Sequence, residues 1–170
     1  LNISVNVFGY PFKKPIPRSG AKLGDSIYVT GQLGKAKQGL NDWLNKKDSI
    51  YCNDYLRPKP QFQKAKELSD FATSCIDISD GLIKDLGDIC KQSNVGAELC
   101  YENIPILYDQ KDLTHGDDYQ LCFTAPSHLD DQLRSQEFFL IGKIIQNLDL
   151  IVKKDGSEVT FEKNGWDPFE

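Results

Sequence analysis

Between Cys75 and Cys90 the hydrophobic period changes once, from two residues to about 3.6, and Gly81 stands at the change. In extended chain, Cys75-Ile76-Asp77-Ile78-Ser79 sends Ile76 and Ile78 into a core and leaves Cys75, Asp77 and Ser79 together on the opposite face. Across residues 81–92, Leu82, Leu86, Ile89 and Cys90 recur along one side of a helix. A strand that turns straight into an amphipathic helix needs further strands beside it and a helical layer against it. That requirement commits the chain to a mixed α and β architecture.

The flanking sequence repeats the pattern. Strands are expected at residues 26–30, 97–101, 119–123, 138–145 and 148–153, with a hairpin turn at Asp155-Gly156. Helices are expected at 61–73, where Phe62, Ala65, Leu68 and Ala72 share a face, at 127–135, and as a short segment at 39–47. Leu56-Arg57-Pro58-Lys59-Pro60 reads as extended, because proline disfavours helix in the residue before it. The expected fold is α/β (or α+β), a mixed sheet with helices covering one face. Leu1 to Val7 alternates apolar and polar residues like a half-buried strand in need of a partner, and Pro11, Pro15 and Pro17 then mark a crossover. The chain therefore divides into residues 1–17, the end of a truncated N-terminal unit with its crossover, and residues 18–170, the main α/β domain. It opens on Leu1 and contains no methionine, so an upstream portion is expected.

At 170 residues the chain is long enough to bury a core without disulfides or metals to hold it. A net charge of -5 with scattered Lys and Arg excludes the basic stripe of a nucleic-acid-binding face. Apolar runs are too short to span a bilayer, and soluble, cytoplasmic protein with no membrane partner is expected. The five cysteines lack any C-x-x-C pair and read as reduced, buried thiols.

Chemistry concentrates in Asp77-Ile78-Ser79-Asp80-Gly81-Leu82. Hard oxygen ligands this close together suit Mg²⁺ shared between one or two carboxylates and substrate phosphates. The competing reading is an ordinary strand-to-helix turn with Ser79 or Asp80 capping the helix.

The same six residues resemble the D-[IL]-S-D-G-L motif of thiamine-monophosphate kinases, members of the aminoimidazole ribonucleotide synthetase superfamily. Four further segments follow in that family's order. They are Arg18-Ser19-Gly20-Ala21 ahead of residues 24–31, Leu56 to Pro60, Gly116-Asp117-Asp118-Tyr119-Gln120-Leu121-Cys122-Phe123, and the aromatic ending Asn164 to Phe169. The resemblance implies the C-terminal domain of the aminoimidazole ribonucleotide synthetase-like fold. It implies Asp77 and Asp80 as magnesium ligands, Ser79 and Arg18 at ATP, and Asp117 and Trp166 at thiamine phosphate. Arg18 offers fixed donors to phosphate oxygens, and an indole face attracts a cationic thiazolium. Without the resemblance, Arg18 reads equally as a solvated loop residue and Trp166 as a core plug. Asp117 departs from the family's G-G-E-D-Y-E-L, shortening the carboxylate by one methylene and leaving Asp118 as a candidate to share its contact.

The implied reaction is ATP-dependent phosphorylation of thiamine monophosphate to thiamine diphosphate by direct, Mg²⁺-assisted transfer, with no covalent intermediate and no side chain assigned as general base. The family's remaining metal-binding aspartates precede the point where this chain begins, so the 170 residues alone are expected to be inactive, and the full-length protein to be a homodimer. The alternatives are another ATP-using synthetase of the superfamily, or a non-catalytic binding domain that kept the fold.

Overall fold

The computed structural model describes residues 3–11 and 13–167. Its strands are β1 (Ser26–Val29), β2 (Ser74–Asp77), β3 (Gly96–Cys100), β4 (Leu121–Ala125), β5 (Phe139–Ile145), β6 (Leu150–Lys154) and β7 (Ser157–Val159). They form one sheet in the order β2-β4-β1-β5-β3-β6-β7. Among the described strands β3 and β6 pair in parallel and the other five pairings are antiparallel, so the sheet is mixed as expected. The β6–β7 hairpin turns at Asp155 and Gly156, both with positive φ (49° and 78°), the primed geometry that matches strand twist.

The helices are α1 (Lys35–Leu44), α2 (Cys52–Leu56), α3 (Phe62–Leu68), α4 (Leu82–Ser93) and α5 (Asp130–Ser135). Between them α4 on one side and α3 with α5 on the other cover both faces of the sheet, which corrects the expectation of a single covered face. On one face, Ile27 and Val29 of β1 pack in a cluster with Leu82, Leu86 and Ile89 of α4. On the other, Tyr28 stacks on Phe123 at 5.1 Å between ring centroids, in a cluster with Leu68 of α3, Leu133 of α5 and Phe138. Every residue of β1 is buried, which is why its short run lacks the alternation that would have revealed two covered faces.

Ile3 to Val7 forms no strand, contrary to expectation: Ile3, Val5 and Val7 are 74%, 79% and 87% exposed, and no described segment pairs with them. Leu1 and Asn2 of that stretch, and Pro168 and Phe169 of the aromatic ending, lie outside the described residues. The crossover does reach the sheet, where the Cys75 N–H donates to the Pro17 carbonyl at 3.0 Å on the outer edge of β2. The helix expected over 61–73 stops at Leu68, because the Ser69 hydroxyl bonds back to the Lys66 carbonyl at 2.7 Å and the chain turns into β2. Phe62, expected on its buried face, is 79% exposed. Leu56 ends α2 instead of extending, since the restraint of Pro58 falls on Arg57. Tyr119, expected within a strand, has φ 49° and precedes β4.

Cys90 and Cys122 are buried and the other three cysteines partly so, all as free thiols. Among the described residues no helix is long and apolar enough to cross a membrane.

Candidate active site

The turn from β2 to α4 is held from beneath by a side chain of the helix it feeds. Asp85, buried in the first turn of α4, accepts the backbone N–H groups of Ser79 at 3.0 Å, Asp80 at 3.0 Å and Gly81 at 3.1 Å, all on one carboxylate oxygen. Those donors would otherwise be orphaned at a helix start. Burial pushes the Asp85 carboxyl up to about 6 even though the three N–H bonds pull the other way. Gly81 enters the helix at φ 124°, in the region that favours glycine, so α4 starts at Leu82. The competing capping reading is thus answered: neither Ser79 nor Asp80 makes a side-chain cap, and the Asp80 carboxylate is bonded by Lys84 instead.

The expected alternation holds along β2 and just beyond. Ile76 and Ile78 are buried, while Cys75, Asp77 and Ser79 are partly exposed. A second segment, residues 116–120, lies antiparallel to this one. The Asp117 N–H donates to the Ser79 carbonyl at 2.9 Å, Tyr119 to Ile78 at 2.9 Å, and Ile78 in return to Gln120 at 2.7 Å. Gly116 permits the approach, since a Cβ there would sit 2.0 Å from the Ser79 carbonyl oxygen. Asp117 and Tyr119 both take positive φ (68° and 49°), which presents residues 117–119 as a kinked ledge ahead of β4.

Asp117 and Asp118 have separate environments. Asp117 lines a cavity, whereas Asp118 accepts the N–H groups of Gly34 at 2.7 Å and Ala36 at 3.1 Å and so caps the start of α1. Burial raises the Asp118 carboxyl to about 6.

The cavity of Asp117 also takes in Ser79, Asp80 and Trp166, and has a volume of about 640 Å³. Leu40, Tyr55, His115, Tyr119 and Lys163 complete much of its wall. Trp166 is 61% exposed, not a core plug. Its segment is fastened to the turn: the Trp166 N–H donates to the Asp80 carbonyl at 2.9 Å. Lys84 Nζ donates both to the Asp80 carboxylate at 2.8 Å and to the Trp166 carbonyl at 2.6 Å. The hydrogen bond to Asp80 raises the Lys84 pKa, and burial lowers that of His115.

Asp77 and Arg18 face elsewhere. They line a second cavity of about 560 Å³ with Ile16, Phe62, Ala65 and Lys14. Residues 77–80 therefore form a partition, with Asp77 on one side and Ser79 and Asp80 on the other. Among the described residues, the Asp77 carboxylate makes no hydrogen bond or salt bridge with protein, and the Asp80 carboxylate bonds only Lys84. Such oxygen donors fit a hard divalent cation. No group of three or more His, Cys, Asp or Glu among the described residues is arranged to hold a metal ion. Lys84 and Asp85 escaped the sequence reading, although an acidic residue in the first turn of a helix is a recognisable signal.

No family model matches the chain. Curated proteins do. Thiamine-monophosphate kinase of Escherichia coli K12 is 36% identical over 99% of this chain and 60% of its own length. That of Aquifex aeolicus is 30% identical over 99% of the chain and 59% of its own length. Among solved structures, thiamine-monophosphate kinase from Stenotrophomonas maltophilia superposes with a TM-score of 0.74 at 31% identity, over 84% of this chain and 54% of that one. AaThiL complexed with AMPPCP and TMP gives 0.77 at 30% identity, over 91% and 54%. Hydrogenase maturation protein HypE, at 15% identity and 0.71, shares the fold.

The seven-stranded mixed sheet and its two helical layers are thus those of the aminoimidazole ribonucleotide synthetase-like fold. Within that class the chain is a homologue of the thiamine-monophosphate kinases, and it spans about 60% of the length of the curated relatives it matches.

Proposed function

We propose that this chain contributes one half of the active site of an ATP-dependent kinase that converts thiamine monophosphate to thiamine diphosphate. The observation that carries the reading is the partition at residues 77–80, which puts Ser79, Asp80, Asp117 and Trp166 around one cavity and Asp77 and Arg18 around its neighbour. The first cavity, with an aromatic wall and a carboxylate, suits a cationic thiazolium with an attached phosphate. The second, apolar along Ile16, Phe62 and Ala65 and basic at Lys14 and Arg18, suits an adenine nucleotide.

Asp77 and Asp80 would hold Mg²⁺ between the two cavities. Bound there, the ion would supply positive charge against the phosphates. Arg18 would orient the nucleotide within the second cavity, Ser79 would meet its terminal phosphate from the acceptor side of the partition, and Asp117 and Trp166 would hold the acceptor, so that the acceptor phosphate oxygen lies in line with the γ-phosphorus. Direct transfer needs no nucleophilic side chain from this chain. Residues 1–17 would belong to a neighbouring unit and 18–170 to the kinase domain. The complete protein would act as a cytoplasmic homodimer, and the 170 residues by themselves would be inactive.

The test is incubation of the complete protein with ATP, Mg²⁺ and thiamine monophosphate, with an aminoimidazole ribonucleotide precursor as the competing substrate. Thiamine diphosphate and ADP in equal amounts are expected. Turnover of the precursor alone would assign the chain to a synthetase, and binding of thiamine monophosphate without turnover would make it a binding module.

A further inference from the structure

Asp80 and Trp166 are joined at two points, and one of them runs through the charge of Lys84. Lys84 stands one helical turn beyond Asp80, so its ammonium reaches back over the start of α4. There it meets the Asp80 carboxylate at 2.8 Å and the Trp166 carbonyl at 2.6 Å together. The Trp166 N–H is bonded to the Asp80 carbonyl as well, so the C-terminal segment rests on the turn at two points. One of these is backbone to backbone and indifferent to charge. The other is an ion-assisted bridge that depends on the Asp80 carboxylate being free to receive an ammonium.

We propose that Lys84 is a positioning residue that couples occupancy of the Asp80 carboxylate by a divalent cation to the placement of Trp166. This rests on the reading that Asp80 takes the cation and that Trp166 walls the acceptor cavity. A cation on Asp80 competes with Lys84 for the same oxygens and repels its ammonium. Lys84 then leaves Asp80, the bridge to the Trp166 carbonyl is redrawn, and the indole moves relative to the cavity that Asp80, Asp117 and Trp166 share. The cation on Asp80 and the shape of the acceptor cavity are thereby linked through three groups of this chain, and by linkage the effect runs both ways.

The test uses the complete protein carrying Trp166 as its sole tryptophan and MgCl₂ alone as the probe, with neither nucleotide nor thiamine compound present. Indole emission is followed during the titration, and Mg²⁺ binding is measured in parallel by calorimetry. The parent is expected to change emission as the ion binds. Lys84→Met is expected to bind Mg²⁺ with the emission change lost, Lys84→Arg to restore it, and Asp80→Asn to lose it together with Mg²⁺ affinity. An emission change that persists in Lys84→Met but disappears in Asp80→Asn overturns the coupling and leaves the metal reading standing. Persistence in Asp80→Asn overturns both, whereas a parent whose emission ignores bound Mg²⁺ overturns the coupling alone.

Discussion

The carboxylate of Asp85 accepts the backbone N–H of Asp80 at 3.0 Å, so a residue inside helix α4 fixes the conformation of the turn that precedes it. The same oxygen also holds Ser79 and Gly81. Asp85→Ala leaves three backbone donors without their acceptor and is expected to destabilise the complete protein by roughly 1–3 kcal/mol. The check is the urea unfolding midpoint; a midpoint equal to the parent's would mean that the turn holds itself.

Gly116 lies against the backbone of Ser79, and any side chain would strike it. Gly116→Ala must push the 116–120 segment away from Ile78 and Ser79, at a cost of about 1–3 kcal/mol. Because Asp117 bonds the same Ser79 carbonyl, the KM for thiamine monophosphate should rise more than that for ATP. Equal rises in both would argue against placing Asp117 at the acceptor.

Asp118 titrates from about 6 in the folded protein, raised by burial from 3.8. A raised carboxyl contributes stability that is complete below the unfolded value and is lost as pH climbs through the folded one. Asp118→Asn has no proton to lose. Its Tm relative to the parent should therefore improve between pH 4 and pH 7, whatever the fixed effect of altering the cap on α1. A Tm difference that stays flat across that range would contradict the burial of this carboxylate.

Asp117 stands where relatives of the thiamine-monophosphate kinase pattern are expected to carry glutamate. Asp117→Ala should raise the KM for thiamine monophosphate about tenfold, the loss of one charge-assisted contact of about 1.4 kcal/mol. Asp117→Glu should stay within about threefold of the parent, although φ 68° suits aspartate better than glutamate. Initial-rate kinetics on the two variants separate a carboxylate that binds the acceptor from one that only shapes the ledge.

How much the sequence disclosed depended on how far apart the partners lie along the chain. The strand, turn and helix of residues 74–93 were legible because their determinants are local: alternation at Ile76 and Ile78, a glycine at the break, and helical spacing from Leu82 onward. The shared exposure of Asp77 and Ser79 followed from that alternation alone. Asp118 capping α1 was hidden because its bond to Gly34 spans 84 residues. Lys84 reaching the Trp166 carbonyl spans 82. Nor could sequence separation show that Asp77 and Asp80, three residues apart, open onto different cavities. The strand expected at Leu1 to Val7 had the correct period, but period alone supplies no neighbour, and no described segment pairs with Ile3 to Val7.

Under the proposed function, the partly exposed carboxylate of Asp77, without a protein partner among the described residues, serves Mg²⁺-dependent phosphoryl transfer. The most direct measurement is the rate of thiamine diphosphate formation by the complete protein and by Asp77→Asn, at saturating ATP and across a Mg²⁺ series. Asparagine keeps the shape and removes the charge, so the rate should fall on the order of a hundredfold while the unfolding midpoint is preserved. An unchanged rate in a folded Asp77→Asn protein would contradict the account.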